Sequence, residues 1–94
     1  MSVHYHIEKE HIPDMHFISY EVLDSTELRA RRQDDLAKAM ILGNNEKGKC
    51  RLVFETESGT FEVETTVWAT TDQTVTLKGG VTIPIHCIKA VWFT

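Results

Sequence analysis

The histidines near the start of the chain are the first residues whose type and spacing suit a chemical role. His4 and His6 lie two positions apart in a segment where apolar and polar residues alternate, as on a β-strand. Both imidazoles then point to the same face, and His11 or His16 would complete a donor set that zinc, copper or nickel accepts. No cysteine lies near them, and a solvated polar strand face has the same pattern. We therefore expect no metal and no other cofactor, and keep His4 and His6 only as weak metal candidates.

Two further pairs have the residue types of catalytic groups. His86 and Cys87 contain a base and a nucleophile, but adjacent side chains point apart, whereas a thiolate dyad needs partners within hydrogen-bond reach. Glu62 and Glu64 share one face of a predicted strand, as paired carboxylates for acid–base catalysis would, yet no partner base accompanies them. We expect a buried Cys87, a half-exposed His86 and solvated glutamates. The sequence therefore predicts no catalytic site and a protein that is not an enzyme.

The stretch RARR, residues 29–32, is the basic cluster of the chain. On a helix Arg29 and Arg32 share a side, while Glu27 and Asp35 partly neutralise Arg31 from one turn away. A phosphate-binding patch is one interpretation, and a solvated helix face is the favoured one. The whole chain has 10 basic and 14 acidic residues, a formal net charge of −4. That balance argues against a protein whose main task is to grip nucleic acid.

A helix must position this cluster, and its signals are clear. Asp24 is a suitable N-cap, and Glu27 three residues later would complete a capping box. Gly43 stands where a left-handed residue commonly follows the last helical turn. The sequence predicts a helix over about residues 25–42. Its apolar stripe consists of Leu36, Ala37, Met40 and Ile41.

Residues 1–23 read as extended. SVHYHIE alternates with a period of two, and MHFISYEVL is rich in aromatic and β-branched residues, so each predicts a strand. Pro13 and Asp14 predict a turn between them. We expect one or two N-terminal strands ahead of the helix.

Residues 48–93 read as five short strands. ESGT, TTDQ and KGG are turn signals that divide them, and the second strand, TFEVETTVWA, is the longest. Pro84 cannot donate to a sheet ladder and marks a strand end. Ile85 and Ile88 have the spacing that one turn of 3-10 helix places on one side, where they can close an end of the core before the last strand, KAVWF. This order predicts a five-stranded small barrel, and hence an α+β class that is mainly β.

The bulk properties indicate one small domain. A chain of 94 residues has room for a single core, so residues 1–94 form one unit. Cys50 and Cys87 are too few for a disulfide scaffold and are expected to be buried thiols, with a bridge between them as the alternative. The start lacks the pattern of a signal peptide, and no run of about 18 apolar residues occurs. We expect a cytoplasmic protein that does not bind membranes.

The capped helix followed by five short strands, the second of them long, resembles the Sm-like branch of the SH3-type small barrels. TTDQTVTLKGGVTIPIHCIKAVWF is similar to the second half of the bacterial Sm-like RNA chaperones, where an Asp-containing turn precedes a core strand and a functional His precedes the last strand. Asp72 and His86 occupy those positions, and the resemblance covers residues 25–93. It implies an SH3-like barrel and, as an alternative function, binding of single-stranded RNA. The residues that would bind RNA are Arg29, Arg32, Lys78 and His86.

Aromatic residues suggest the first function, which is contact with other protein chains. Trp68 falls on the polar side of its strand, and we expect the helix or the N-terminal strands to cover it, with exposure as the alternative. Trp92 and Phe93 alternate on the terminal strand, so one of them faces outward. An outward aromatic side chain on an edge strand favours the addition of a strand from another chain. We therefore expect a homo-oligomer, with Trp68, Trp92 and Phe93 as interface candidates.

Overall fold

The computed structural model describes residues 5–46 and 48–93. They form one long helix, two short 3-10 helices and seven strands. In chain order these are β1 (Tyr5–His6), the first 3-10 helix (Lys9–Asp14), α1 (Thr26–Glu46), β2 (Cys50–Thr56), β3 (Gly59–Thr65), β4 (Val67–Thr70), β5 (Thr74–Leu77), β6 (Thr82–Pro84), the second 3-10 helix (Ile85–Cys87) and β7 (Ile88–Phe93). The predicted class, α+β with mainly β structure, is confirmed.

The strands form two sheets. The first has four strands in the order β1-β3-β2-β7, and the second has three in the order β4-β5-β6. All neighbours are antiparallel except β1, which runs parallel to β3. In the described part of the chain, β6 and β7 are the ends of separate sheets, so the predicted five-stranded barrel is not closed. β6 has only three residues. It ends at Pro84, which has no backbone N–H to donate to a sheet ladder.

The predicted long strand is divided between the two sheets. β3 ends at Thr65 and β4 begins at Val67, with Thr66 between them. The carbonyl oxygen of Thr66 accepts a hydrogen bond of 2.9 Å from the backbone N–H of Lys78, in the turn after β5. The chain therefore leaves the first sheet and enters the second at a single residue.

The 3-10 turn that the spacing after Pro84 predicts is confirmed. It spans Ile85–Cys87, and both Ile85 and Ile88 are buried. They join a single hydrophobic core that lies between the sheets and the helix. Its other buried members are Ile12, Leu36, Ala39, Cys50, Leu52, Phe54, Val63, Val67, Val75, Leu77, Ile83 and Cys87.

Among the described residues, the N-terminal segment contains one strand, within the expected one or two. MHFISYEVL makes only an isolated bridge between Phe17 and Thr56, so the prediction of a strand there is wrong. The reason is that β2 is already paired with β3 on one side and with β7 on the other, and only its last two residues, Glu55 and Thr56, extend past β7. The predicted turn at Pro13 and Asp14 lies within the first 3-10 helix, whose Ile12 is fully buried and anchors the segment.

Both predicted ends of the helix differ from the observed ones. The N-cap is Ser25, whose hydroxyl accepts a hydrogen bond of 3.3 Å from the Leu28 N–H, and not Asp24. The helix continues past Gly43 to Glu46. Glycine is required at position 43 because α1 and β4 approach each other closely at this point. A Cβ atom there would collide with the Val67 carbonyl oxygen and would lie 2.8 Å from the Thr66 methyl carbon. No helix of the described residues is both long and apolar enough to cross a membrane.

The contact at Gly43 predicts an unusual response to alanine. In a helix, Gly→Ala ordinarily adds up to about 1 kcal/mol of stability, but the added methyl group here overpacks the contact, which typically costs about 1–3 kcal/mol. We expect Gly43→Ala to lower the free energy of unfolding, measured by urea denaturation. Asn44→Ala, at the exposed neighbouring position, is the matched control and should be neutral or slightly stabilising. An equal gain in both variants would contradict the close approach of α1 and β4.

Candidate functional site

β7 is an edge strand, and a groove follows its free side. Of the strands in residues 5–46 and 48–93, it pairs with β2 alone, on one side. The four consecutive residues 89–92 line one wall of a groove of 250 Å³, while Leu23 and the start of α1 form the other wall. The groove therefore separates β7 from the first turns of α1, which lie alongside its free side.

Exposed apolar side chains lie in this groove and next to it. Trp92 is 55 % exposed, Phe93 is 44 % exposed, and Leu28 on the opposite wall is 46 % exposed. Trp92 pairs with Arg51 and faces outward, as the sequence predicts for one of the two aromatic residues. Phe93 pairs with the buried Cys50 and shares the core face, but it lies at the end of the strand and is exposed as well.

The third interface candidate, Trp68, lies elsewhere. It is in β4 of the second sheet and is 47 % exposed, so the expected cover by the helix or the N-terminal strands is at best partial. The backbone carbonyl of Val67 lies close to Gly43 of α1, and Trp68 is the extra residue where the pairing of β4 with β5 shifts register. The structure therefore brings Trp92 and Phe93 together on one strand and leaves Trp68 apart from them.

Arg32 is buried, although the sequence places it on a solvated helix face. Its side chain is 7 % exposed, and its two terminal nitrogens each lie 2.7 Å from a carboxylate oxygen of Glu21. One of them also donates to the backbone carbonyl of Ile88, the first residue of β7, at 3.1 Å. The hydrogen bonds from Arg32 are the main reason that the pKa of Glu21 is lowered from 4.5 to about 2, and the backbone N–H of Leu23 adds to the effect.

The other residues of the alternative RNA-binding set are not gathered on one free surface. Arg29 donates to the carbonyl oxygen of Leu23 at 2.8 Å, which holds the start of the helix. Lys78 is exposed in the turn between β5 and β6. His86 is half-buried and lines a depression together with Arg32 and Asp72.

His86 and Cys87 both contact the backbone carbonyl oxygen of Ile18. Nε2 of His86 donates to the carbonyl oxygen of Ile18 at 2.7 Å, and the thiol of Cys87 lies 3.4 Å from the same oxygen. The expectation that they point apart is wrong, because both lie in the 3-10 turn and reach one backbone acceptor. Cys50 and Cys87 are buried and free, and burial raises the pKa of each thiol to about 11. The disulfide alternative is therefore not adopted.

The two glutamates of the predicted pair differ in their exposure to solvent. Glu64 is exposed, but Glu62 is only 5 % exposed, so its expected solvation is wrong. One carboxylate oxygen of Glu62 lies 3.1 Å from Nδ1 of His6 and 3.6 Å from Arg51, because β1 runs alongside β3. His4 lies outside the described residues. Within residues 5–46 and 48–93, no group of three or more His, Cys, Asp or Glu side chains is placed to hold a metal ion.

Two parts of this surface were missed by sequence reasoning. Glu21 and Arg32 are eleven positions apart, a spacing with no local meaning, and only the fold makes them partners. Leu28 carries a weak signal, because it is a large apolar residue in an otherwise polar first helical turn. No family model, curated protein or solved structure matches the chain. Its function has to be inferred from the geometry.

The ion pair between Glu21 and Arg32 predicts a defined dependence on pH. A carboxyl group whose pKa is lowered by folding stabilises the fold above its unfolded pKa, and this contribution is lost as the pH falls to the folded pKa. Glu21→Gln should lower the free energy of unfolding at pH 7 by about 1.5–3 kcal/mol, as for other hydrogen bonds to charged groups. The difference from the wild type should shrink between pH 4.5 and about 2. Urea denaturation at stepped pH measures it, with the exposed Glu57→Gln as control; a difference that does not vary with pH would argue against the pair.

The buried thiols predict slow chemistry in the folded state. The thiolate is the reactive form, and a pKa of about 11 with little exposure leaves almost none of it accessible at pH 8. Ellman's reagent should react slowly with the native protein and should titrate both Cys50 and Cys87 after unfolding in urea. A Ser58→Cys variant, with its added thiol in the exposed turn after β2, should gain one fast-reacting group. Rapid native reaction of either original thiol would show that it is not buried.

Proposed function

We propose that this chain is a non-enzymatic interaction domain that self-associates through the exposed aromatic end of the edge strand β7. The observation that carries the proposal is the exposure of Trp92 and Phe93 beside the groove between residues 89–92 and the start of α1. Exposed aromatic side chains are enriched at protein interfaces, and Trp92 and Phe93 flank this edge.

The fold in this proposal is an open small barrel of the SH3 or Sm-like type. If β3 and β4 are counted as one bent strand, residues 50–93 comprise five strands with a 3-10 turn before the last. The resemblance to Sm-like proteins implies the same order of elements, which supports the proposed small-barrel fold.

The geometry gives less support to the other functions. Catalysis has little support because His86 and Cys87 are both engaged by the carbonyl of Ile18. RNA binding, the alternative, would need Arg32 to leave its buried pair with Glu21. A reducing compartment suits two free buried thiols, so the proposal places the protein in the cytoplasm.

The mass of the protein in solution tests the proposal. Light scattering after size exclusion should give at least twice the chain mass of 10.8 kDa at high protein concentration. Trp92→Lys puts a charge on the edge and should raise the dissociation constant by at least about tenfold, as for loss of a central interface aromatic. Trp68→Lys is the matched control, because Trp68 is similarly exposed but lies in the other sheet.

Circular dichroism should show both variants folded. A wild-type protein that is monomeric at every concentration would refute the proposal. So would equal weakening by the two tryptophan substitutions, because it would remove the special role of the β7 edge.

A further inference from the structure

We infer that the exposed indole of Trp92 inserts into a trough on the outer face of the first sheet of a second copy, and that the second copy's indole enters the same trough of the first. This inference rests on the proposed self-association and adds the surface that receives the aromatic side chain. The outer face is the face of the sheet that points away from the core. The trough has a volume of 480 Å³, and in the described part of the chain its lining residues belong to β1, β3, β2 and β7.

The floor of the trough is a low row that crosses the sheet. Strand pairing places Glu62, Val53 and Ala90 side by side on β3, β2 and β7. Because Leu52 and Phe54 belong to the core, alternation along β2 turns Val53 to the outer face. Val53 is nevertheless only 6 % exposed. The row is low because its residues on β2 and β7 are small, while larger side chains stand on both sides of it.

Those larger side chains form two walls. Arg51 and Trp92 are paired across β2 and β7 and form one wall. Thr60 and Lys89 form the other, and each lies 3.2 Å from the carboxylate of Glu55, which holds this wall together. The indole, 55 % exposed, therefore stands directly beside a recess on its own sheet.

A projecting side chain beside a recess makes this patch self-complementary. A two-fold contact uses the same patch on both copies, and it is the commonest symmetry of soluble homo-oligomers. An axis parallel to the two sheets, between the row of Trp92 and the row of Ala90, exchanges the projection and the recess. Each indole then lies over Ala90 and Val53 of the other copy. The first sheets meet face to face with interdigitating side chains, and α1 keeps its place beside β7.

The size and charge of the trough favour a neutral aromatic occupant. Its volume lies within the range of about 300–1,000 Å³ that holds small ligands, which is enough for one indole. Arg51 lies 3.6 Å from Glu62, and Lys89 lies 3.2 Å from Glu55, so each cation of the walls already has a carboxylate partner. A charged occupant meets no unbalanced opposite charge, whereas an indole leaves both pairs intact and is attracted to a guanidinium near its face.

Filling the recess tests the inference. Ala90→Leu puts a larger side chain on the floor, so it should raise the dimer dissociation constant by at least about tenfold, as for loss of a central interface aromatic. Ala69→Leu is the matched control, because Ala69 is exposed on β4 of the second sheet, and it should leave the constant within a few-fold of the wild type. Sedimentation equilibrium measures all three proteins, with circular dichroism to check folding.

The fluorescence of Trp92 shows whether the indole is buried on association. The chain has two tryptophans, so Trp68→Phe leaves Trp92 as the single emitter. Its emission maximum should move to shorter wavelength as the dimer forms, with the midpoint that sedimentation gives. Adding Ala90→Leu should abolish the shift over the same concentrations.

The methyl groups of Val53 report where the indole goes, in a protein whose trough is unchanged. Protons that lie over the face of an aromatic ring are shielded. The methyl NMR signals of Val53 should therefore move upfield as protein concentration rises and the dimer forms. The signals of Val75, which is buried in the second sheet, are the control and should stay in place.

The outcomes separate the inference from the proposed function. A wild-type protein that is monomeric at every concentration overturns both. A wild-type dimer in which the Val53 signals do not move overturns insertion into the trough and leaves self-association in place, and so does a dissociation constant that Ala90→Leu does not change. A concentration-dependent shift of Val53 together with selective weakening by Ala90→Leu supports the insertion.

Discussion

The arrangement of this protein depends on one buried cation. The guanidinium of Arg32 contacts the carboxylate of Glu21, in the segment before the helix, and the carbonyl oxygen of Ile88, at the start of β7. A buried charge is tolerated only while its partners remain in place, because removing one leaves an uncompensated ion in a poorly solvating environment. The contact therefore ties the N-terminal segment, α1 and the last strand to one another.

The open edge follows from how a short chain packs its strands. The chain passes from the first sheet to the second at Thr66, and Gly43 lets α1 lie directly against that crossing. The helix then covers β4, and β6 is cut short by Pro84. With so few residues, nothing in the described part of the chain pairs with the outer side of β7. The start of α1 lies beside this edge and turns it into a groove.

The surface separates polar chemistry from apolar contact. The side chains that could take part in reactions are engaged within the fold: His86 and Cys87 by the carbonyl of Ile18, and Glu62 by His6. The exposed Leu28 and Trp92 share one groove, and Phe93 lies next to it. This division is the basis of the proposed interaction role.

The sequence alone determined the features that depend on neighbouring residues. The body of the helix, the 3-10 turn after Pro84 and the outward Trp92 all follow from local periodicity and from the missing N–H of proline. Only the tertiary structure decided the burial of Arg32, the helical position of Gly43, the α1 wall of the groove and the loss of a second N-terminal strand. Each of these depends on a partner that is distant in the chain, and spacing along a sequence does not encode which distant residues will meet.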